Sequence, residues 1–301
     1  MFKIKSLLRF LLTLPTEQDC IDYLEKLIWD GVPISPYDPT AKVWKLADGY
    51  YRCSKTKKRF NVKTGTIFKN SKIPLVDWFW ALYRFLSKKG ISSCQLAKEL
   101  GITQKSTWNM LKDIRENLNQ FNFVKDELKG EIQIDETLVG GSNPNRHWDK
   151  KFLNCQGRSC IDKTPVLGIL ERGGYLILVV VPDTKLRTLE PIINAHVKVG
   201  STIYTDELYR HSRLYKRFIH QWINHKVKQY VNGKVTTNAI ENVWTHFKIL
   251  IHGTYHNNIS DKYLQNYADE FAFHFNTRNY NERDRFDLAL SSVMGKNLTY
   301  R

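Results

Sequence analysis

Three runs rich in Ile, Val, Leu and Thr follow one another in the second half of the 301-residue chain and are bounded by Gly and Pro. They cover Glu131–Val139, Thr164–Leu170 and Tyr175–Val181, and this composition predicts three strands with short connections. A helix over about Leu186–Val197 and a fourth strand over Ser201–Thr205 follow them. Three strands followed by helix, strand and further helices indicate an α/β domain with a mixed sheet.

Two aspartates occupy positions in or directly after these strands that suit a metal ligand. Asp135 lies inside the first strand, on the face opposite Ile132 and Ile134, and Asp206 directly follows the fourth strand. A carboxylate inside a strand needs a partner such as a metal ion, because its desolvation is costly. Ligands of open α/β sheets bind at the carboxyl ends of the strands. Asp135 and Asp206 are therefore candidate metal ligands.

Glu241 lies near the start of a helix predicted over about Asn238–Ile251, which a further helix over about Ser260–Asn276 follows. One interpretation is structural, with Asn238 as the N-cap and Glu241 three residues later completing a capping box. The other interpretation is functional, because a carboxylate in the first turn of a helix can point towards a strand edge. Taken alone, the glutamate favours the structural interpretation.

Taken together, the three acids suggest a metal centre. Asp135, Asp206 and Glu241 would converge on two Mg²⁺ ions, since hard oxygen ligands suit this cation. Such a pair activates the attacking oxygen and stabilises the leaving oxygen in phosphodiester displacement. Lys248, two helical turns beyond Glu241, would pair with the phosphate beside the scissile bond.

A helix-turn-helix arrangement is predicted within residues 91–118. Gly101 would end a short helix, and Thr103 would cap the next one after a turn of three or four residues. The side chains that the second helix would present to a DNA groove are Gln104, Lys105, Ser106 and Asn109. An ordinary helical hairpin is the alternative interpretation of the same pattern.

The net charge favours a polyanionic partner. Lys and Arg outnumber Asp and Glu by 16, and double-stranded DNA is the first partner to consider, with an anionic membrane surface as the alternative. No apolar run is long enough to predict a transmembrane helix, and the five scattered cysteines fit a reducing compartment. Because Arg9 interrupts the apolar opening segment, we read it as a first helix and expect a cytoplasmic protein, associated with the nucleoid in a bacterium.

Three domains are predicted from these changes in pattern. Residues 1–73 would hold two helices and a small β-rich segment, in which Trp44, Tyr50, Tyr51 and Phe60 are interspersed with basic residues. Residues 74–125 read as a helical region that contains the helix-turn-helix, and residues 126–301 read as the α/β domain.

Several motifs resemble the insertion-sequence transposases of the ISXO type, to which eukaryotic Merlin elements are related. In the α/β domain these motifs are Glu131–Gly141 (EIQIDETLVGG), Thr164–Glu171 (TPVLGILE), Ile203–Asp206 (IYTD), Thr237–Trp244 (TNAIENVW), Gly253–His256 (GTYH) and Phe271–Arg278 (FAFHFNTR). Upstream, the matching segments are Phe60–Phe68 (FNVKTGTIF), Ser71–Leu75 (SKIPL) and Gly90–Ala97 (GISSCQLA). The resemblance covers nearly the whole chain, in order.

The resemblance implies an RNase H-like catalytic domain that cuts DNA at transposon ends and joins the freed 3′-OH to target DNA. The acids of the family fall on Asp135, Asp206 and Glu241, and its basic partner falls on Lys248. It implies two Mg²⁺ ions, which Mn²⁺ can replace, and double-stranded DNA of the transposon ends and the target as partner. Because two ends must be held together, we expect a homodimer or a larger synaptic complex.

The chain departs from the family in the zinc ribbon that usually lies near the N-terminus. The expected cysteine pairs fall on Ser35-Pro-Tyr-Asp38 and Cys53-Ser-Lys-Thr56, so one of four zinc ligands remains. A structural zinc site needs all four. We therefore expect a degenerate, zinc-ribbon-like segment that binds no zinc and is held by its aromatic residues.

Two other functions fit the same residues. A catalytically inactive or domesticated DNA-binding protein would keep the fold without the chemistry. A nuclease would share the metal chemistry but would not join the cut end to a target. Mg²⁺-dependent nicking of the cognate ends separates the first alternative from a transposase, and joining of a pre-cut 3′-OH end separates the second.

Overall fold

The computed structural model describes residues 6–119, 124, 126–140, 143, 147–153, 161–206, 209, 212–223, 237–256 and 259–294. The chain divides into two compact units. Unit 1 is Met1–Leu118 with Asn279–Arg301, and unit 2 is Asn119–Arg278. The three domains expected from the sequence, 1–73, 74–125 and 126–301, stay a prediction. In the structure, the C-terminal segment Asn279–Arg301 groups with unit 1.

Five helices of unit 1 precede its C-terminal segment: α1 (Leu7–Leu11), α2 (Glu17–Trp29), α3 (Leu75–Phe85), α4 (Ser93–Leu100) and α5 (Gln104–Asn117). A capping box starts α2, because the Thr16 hydroxyl accepts from the Asp19 N–H at 3.2 Å and the Asp19 carboxylate accepts from the Thr16 N–H at 3.0 Å. None of the helices that the structure describes is long and apolar enough to cross a membrane.

A tight turn joins α4 to α5. Gly101 ends α4 in the left-handed conformation at φ 65°, which suits a residue without a side chain. Thr103 then caps α5, since its hydroxyl accepts a hydrogen bond from the Ser106 N–H at 3.2 Å. The buried side chains Leu96, Met110 and Ile114 lie on the inner sides of the two helices.

A small antiparallel sheet follows α2, formed by β1 (Val43–Lys45), β2 (Tyr51–Cys53) and β3 (Arg59–Phe60) in that order. Trp29 at the end of α2 packs edge-on against Tyr51 and Phe60, with ring centroids 5.3 Å and 6.1 Å away. Aromatic rings therefore fill the inner side of this sheet.

Hydrogen bonds surround Cys53 at the predicted zinc-ribbon positions. The side chains of Ser35 and Thr56 hydrogen-bond to the Cys53 sulfur and lower the pKa of this thiol to about 7. The Ser35 hydroxyl has the larger effect. Ser35 and Cys53 are both buried.

The core of unit 2 is a five-stranded mixed sheet formed by β4 (Glu131–Gly140), β5 (Lys163–Glu171), β6 (Leu176–Val180), β7 (Thr202–Asp206) and β8 (Ile219–Ile223). The strand order is β6-β5-β4-β7-β8. β5 runs antiparallel to both β4 and β6, whereas β7 is parallel to β4 and β8 is parallel to β7. The predicted α/β domain with a mixed sheet is confirmed, and β8 is a strand that the sequence analysis missed.

Helices cover both faces of this sheet: α6 (Leu186–His196) on one side, and α7 (Asn238–Lys248) and α8 (Leu264–Asn276) on the other. Ile132 and Ile134 of β4 share a core with Leu189 of α6. Residues of the opposite face pack instead with α7 residues such as Ile240 and Phe247. Because side chains alternate between faces along a strand, Asp135 belongs to the face that α7 covers.

The C-terminal segment of unit 1 contains a helix that the sequence analysis did not predict, α9 (Glu282–Val293). Phe286 of α9 is fully buried and packs edge-on against Phe79 of α3, with ring centroids 5.6 Å apart. Asp287 accepts a hydrogen bond from the Tyr23 hydroxyl of α2. These contacts fix the last described helix to the first helices of the chain.

Candidate active site

The register of two parallel strands places Asp135 and Asp206 at the same level, where the pairing of β4 with β7 ends. Gln133 of β4 pairs with Tyr204 of β7, and each aspartate lies two residues further along its strand. Asp206 is the last residue of β7 and is buried. The carboxyl end of this strand pair is therefore the place where both predicted ligands occur.

Electrostatics link Asp135 to the other two predicted acids. Burial is the largest effect on its carboxyl group, and the negative charges of Asp206 and Glu241 add to it, which raises the pKa of Asp135 to about 6. Hydrogen bonds from the Glu136 backbone and from Trp244 act in the opposite direction. Asp135 is therefore within electrostatic range of both Asp206 and Glu241.

Glu241 is not a capping-box residue, so the structural interpretation of this position was wrong. The helix α7 begins at Asn238 with Thr237 as its N-cap, and no side chain caps it. Glu241 instead accepts a hydrogen bond from the Thr237 hydroxyl at 2.9 Å, and its side chain is exposed. Lys248 is the last residue of α7 and is also exposed.

Trp244 supports Asp135, a contact that the sequence analysis did not predict. The indole Nε1 donates to Asp135 Oδ2 at 3.0 Å, while the ring itself is buried. The ring lies over Gly168, the residue of β5 that pairs with Asp135. A Cβ atom at Gly168 would lie 2.6 Å from Trp244 Cη2, so only glycine leaves room for this indole.

A second hydrogen bond joins the same strand to the start of α7. The side-chain Oε1 of Gln133 accepts from the backbone N–H of Ile240 at 2.9 Å, and Gln133 is almost fully buried. This N–H belongs to the first turn of the helix, where no backbone partner is available within the helix. A glutamine among the isoleucines of β4 was the signal that could have revealed this contact.

In unit 1, the predicted DNA-contacting residues lie in the first two turns of α5. Gln104, Lys105 and Asn109 are exposed, whereas Ser106 is half-buried. Gln104 Nε2 donates to the Ser93 hydroxyl of α4 at 2.8 Å, so this amide helps to join the two helices.

Comparison with known proteins gives the family. The model of the ISXO2-like transposase domain matches residues 127–276. These residues belong to the ISXO2-like transposase domain family. The resemblance to ISXO-type transposases is therefore confirmed, and the ISXO2-like domain contains Asp135, Asp206, Glu241 and Lys248.

Other relatives are more distant. A protein of Halobacterium salinarum, described as an uncharacterized protein in transposable element ISH50, is 26% identical over 200 residues, which cover 64% of this chain and 67% of that protein. The crystal structure of the Mos1 strand transfer complex is 11% identical with a TM-score of 0.26, covering 74% of this chain and 79% of that chain. A pre-cleavage Mos1 transpososome is 12% identical with a TM-score of 0.21, covering 74% and 80%. Such low TM-scores do not support a residue-by-residue comparison.

The acids of the ISXO2-like domain fit a cation by their chemistry. Carboxylate oxygens are the ligands that Mg²⁺ prefers. A cation would offset both the burial of Asp135 and its repulsion by Asp206 and Glu241, which together raise the pKa of Asp135. Across the described ranges, however, no group of three or more His, Cys, Asp or Glu side chains is close enough to hold a metal ion. The donor types fit the ion, while the three carboxylates do not form a closed ligand set.

The contact between Trp244 and Gly168 predicts the effect of one added methyl group. We expect Gly168→Ala to lower the free energy of unfolding by about 1–3 kcal/mol, because the indole must move away from the new Cβ. Gly253→Ala is the matched control, since nothing lies within 4 Å of a Cβ there. Urea unfolding measures both variants, and equal stability of the two would contradict the packing.

The raised pKa of Asp135 predicts a pH-dependent stability of the metal-free protein. The folded state binds this proton more tightly than the unfolded state, so stability is lost as the pH rises from 3.8, the ordinary pKa of an aspartate, to about 6, the pKa of Asp135 in the fold. We expect Asp135→Asn to be more stable than the natural protein above pH 6, by up to about 3 kcal/mol. This gain should shrink as the pH falls towards 4.

Thermal unfolding in EDTA between pH 4 and 8 tests this dependence. Asp149→Asn serves as the control, because that carboxylate is exposed. A gain for Asp135→Asn that stays constant over the whole pH range would show that the charge is not its cause.

Proposed function

We propose that the chain is a DNA transposase that cuts at transposon ends and joins the freed 3′-OH to target DNA. The observation that carries this proposal is the placement of Asp135 and Asp206 at one end of the parallel β4–β7 pair within an ISXO2-like domain. The strand order is β6-β5-β4-β7-β8, and β5 alone runs opposite to the other four strands. This topology supports an RNase H-like catalytic domain.

Asp135, Asp206 and Glu241 are the residues that would hold two Mg²⁺ ions, or Mn²⁺ in their place. When bound, these ions supply charge stabilisation at the attacking and leaving oxygens of a phosphodiester. Asp135 and Asp206 lie on strands of the sheet and are fixed by it, whereas Glu241 is exposed at the start of α7. Glu241, whose side chain accepts from the Thr237 hydroxyl, would complete the ligand set from the first turns of α7.

The chain's own residues orient the reacting groups. Trp244 fixes the carboxylate of Asp135 through its indole N–H, and Gln133 fixes the start of α7 through the N–H of Ile240. Lys248 is exposed at the end of α7, where its ammonium group can pair with a DNA phosphate. In strand transfer a bond forms between the 3′ oxygen and the target phosphorus, and the target's own 3′ oxygen leaves.

The first unit would supply recognition of the ends. The exposed side chains of Gln104, Lys105 and Asn109 on α5, with Ser106 beside them, are suited to a DNA major groove. The net charge of +16 supports binding to duplex DNA. A homodimer or larger synaptic complex is part of the proposal, because two ends must meet.

An inactive DNA-binding protein of the same fold is the second candidate. The observation that favours it is that the carboxylates do not form a closed group in the part of the chain that the structure describes. Mg²⁺-dependent cleavage of cognate ends by the natural protein excludes this candidate. Joining of a pre-cut 3′-OH end excludes a nuclease without strand transfer.

The two aspartates are expected to be essential for cleavage. Asp135→Asn and Asp206→Asn should each reduce the rate of Mg²⁺-dependent cleavage by roughly 10³-fold or more, since losing about 4 kcal/mol of charge stabilisation has this effect. Binding of transposon ends should change little, because unit 1 provides recognition. Cleavage rates and gel shifts on labelled ends measure the two effects.

Glu136→Gln is the matched control for this test. Glu136 is the next residue of β4, and its carboxylate accepts a hydrogen bond from the Tyr209 hydroxyl. A glutamine can keep that hydrogen bond, so cleavage should persist. Undiminished cleavage by both aspartate variants would refute the proposed catalytic site.

The exposed face of α5 is expected to determine the binding of ends. Lys105→Gln should weaken binding to all DNA sequences and reduce the salt slope of log K by about 0.9, whereas Asn109→Ala should weaken binding chiefly to the cognate sequence. Lys26→Gln, at an exposed position of α2, is the control. Cognate binding that neither α5 variant alters would exclude this helix as the recognition element.

A further inference from the structure

The solvent-facing side of the small sheet in unit 1 carries a row of one tryptophan and two arginines. Trp44 of β1 pairs with Arg52 of β2, which in turn pairs with Arg59 of β3. Directly paired residues of antiparallel strands project to the same face, and all three side chains are exposed. We call this row with the adjacent Lys57 and Tyr50 the outer face.

Cations lie against the exposed aromatic rings of the outer face. The Lys57 ammonium is 5.5 Å from the centroid of the Trp44 ring, and the Arg59 guanidinium is 4.7 Å from that of Tyr50. Trp44 is 50% exposed and Tyr50 is 40% exposed, so much of each ring remains accessible. A ring beside a cation offers a stacking surface for a base and a partner for its phosphate.

The charge of this segment is strongly positive. Residues 42–59 contain seven basic side chains and one acidic side chain, Asp48, which pairs with Arg59. Within the described part of the chain, no ion pair joins Arg52, Lys57 or Lys58 to a carboxylate. A polyanion would relieve the repulsion among these cations.

We infer that the outer face binds single-stranded DNA, with a base stacked on Trp44 and its phosphates on Arg52 and Lys57. The strands have two or three residues each, which is short for a β-ribbon that reads the groove of a duplex. Bases in a duplex hide their faces, whereas unpaired bases expose them to aromatic rings. The inference rests on the proposed function only in naming DNA as the nucleic acid.

The test uses the full chain in EDTA, with fluorescence anisotropy of a labelled oligo(dT) strand and of a duplex of equal length. Trp44→Ala should weaken binding to oligo(dT) by about 5- to 150-fold, the range for losing one base–aromatic stack. Trp44→Phe should retain most of the affinity, and duplex binding should change less than about twofold. Arg52→Gln should reduce the salt slope on oligo(dT) by about 0.7.

Two matched controls lie in the same unit. Tyr280→Ala removes another exposed aromatic ring, and Lys26→Gln removes a charge from α2, the helix that covers the inner side of the sheet. Unchanged binding of oligo(dT) by Trp44→Ala, an equal loss on the duplex, or an equal loss in either control overturns the inference. Thermal unfolding checks that the Trp44→Ala variant is folded. If that variant does not fold, Trp44→Phe tests the same stacking contact.

EDTA prevents cleavage, so these measurements do not depend on catalysis. If Trp44→Ala binds oligo(dT) more weakly, and if cleavage by the natural protein depends on Asp135, both proposals are supported. Cleavage that does not need Asp135 would remove the proposed active site and leave the outer face intact. Normal catalysis with unaltered oligo(dT) binding in Trp44→Ala would remove the outer face alone.

Discussion

The indole of Trp244 can reach Asp135 only because residue 168 has no side chain. Gly168 pairs with Asp135 across β4 and β5, and the ring of Trp244 occupies the space that a Cβ atom would need. One glycine thus allows α7 to approach the sheet closely enough for a hydrogen bond between a helix and a strand. The position of Glu241 and Lys248 relative to the strand ends depends on that approach, since both are on α7.

Holding Asp135 beside Asp206 on neighbouring parallel strands opposes folding, because burial and like charge both disfavour the ionised form of Asp135. The hydrogen bonds from Trp244 and from the Glu136 backbone offset part of this effect, yet the pKa of Asp135 remains at about 6. The residual repulsion is what a bound cation would remove. A site of this kind gains affinity for cations from the same charges that reduce the stability of the metal-free fold.

The residue pattern was sufficient to predict a helix or strand wherever one face of that element is buried and the other is exposed. Alternation along β4 placed Asp135 on the face away from the isoleucines, and the contacts of that face agree. The strand β8 was missed because it is an edge strand with exposed Ile219 and Trp222, so it has no buried apolar run. The helix α9 was missed because its first four residues are charged while its second half is buried on all sides, so no apolar stripe runs along the helix. The hydrogen bond between Trp244 and Asp135 joins residues 109 positions apart, and no local pattern predicts it.

The small sheet of unit 1 is held together by hydroxyl and aromatic contacts on its inner side. Hydroxyl groups of Ser35 and Thr56 contact the Cys53 sulfur, and the rings of Trp29, Tyr51 and Phe60 pack on the inner side. These interactions lie on the inner side, whereas the outer side carries the cations and the exposed rings of Trp44 and Tyr50. Because exposed Lys and Arg contribute little to folding, their accumulation beside half-exposed aromatic rings is better explained by binding than by stability.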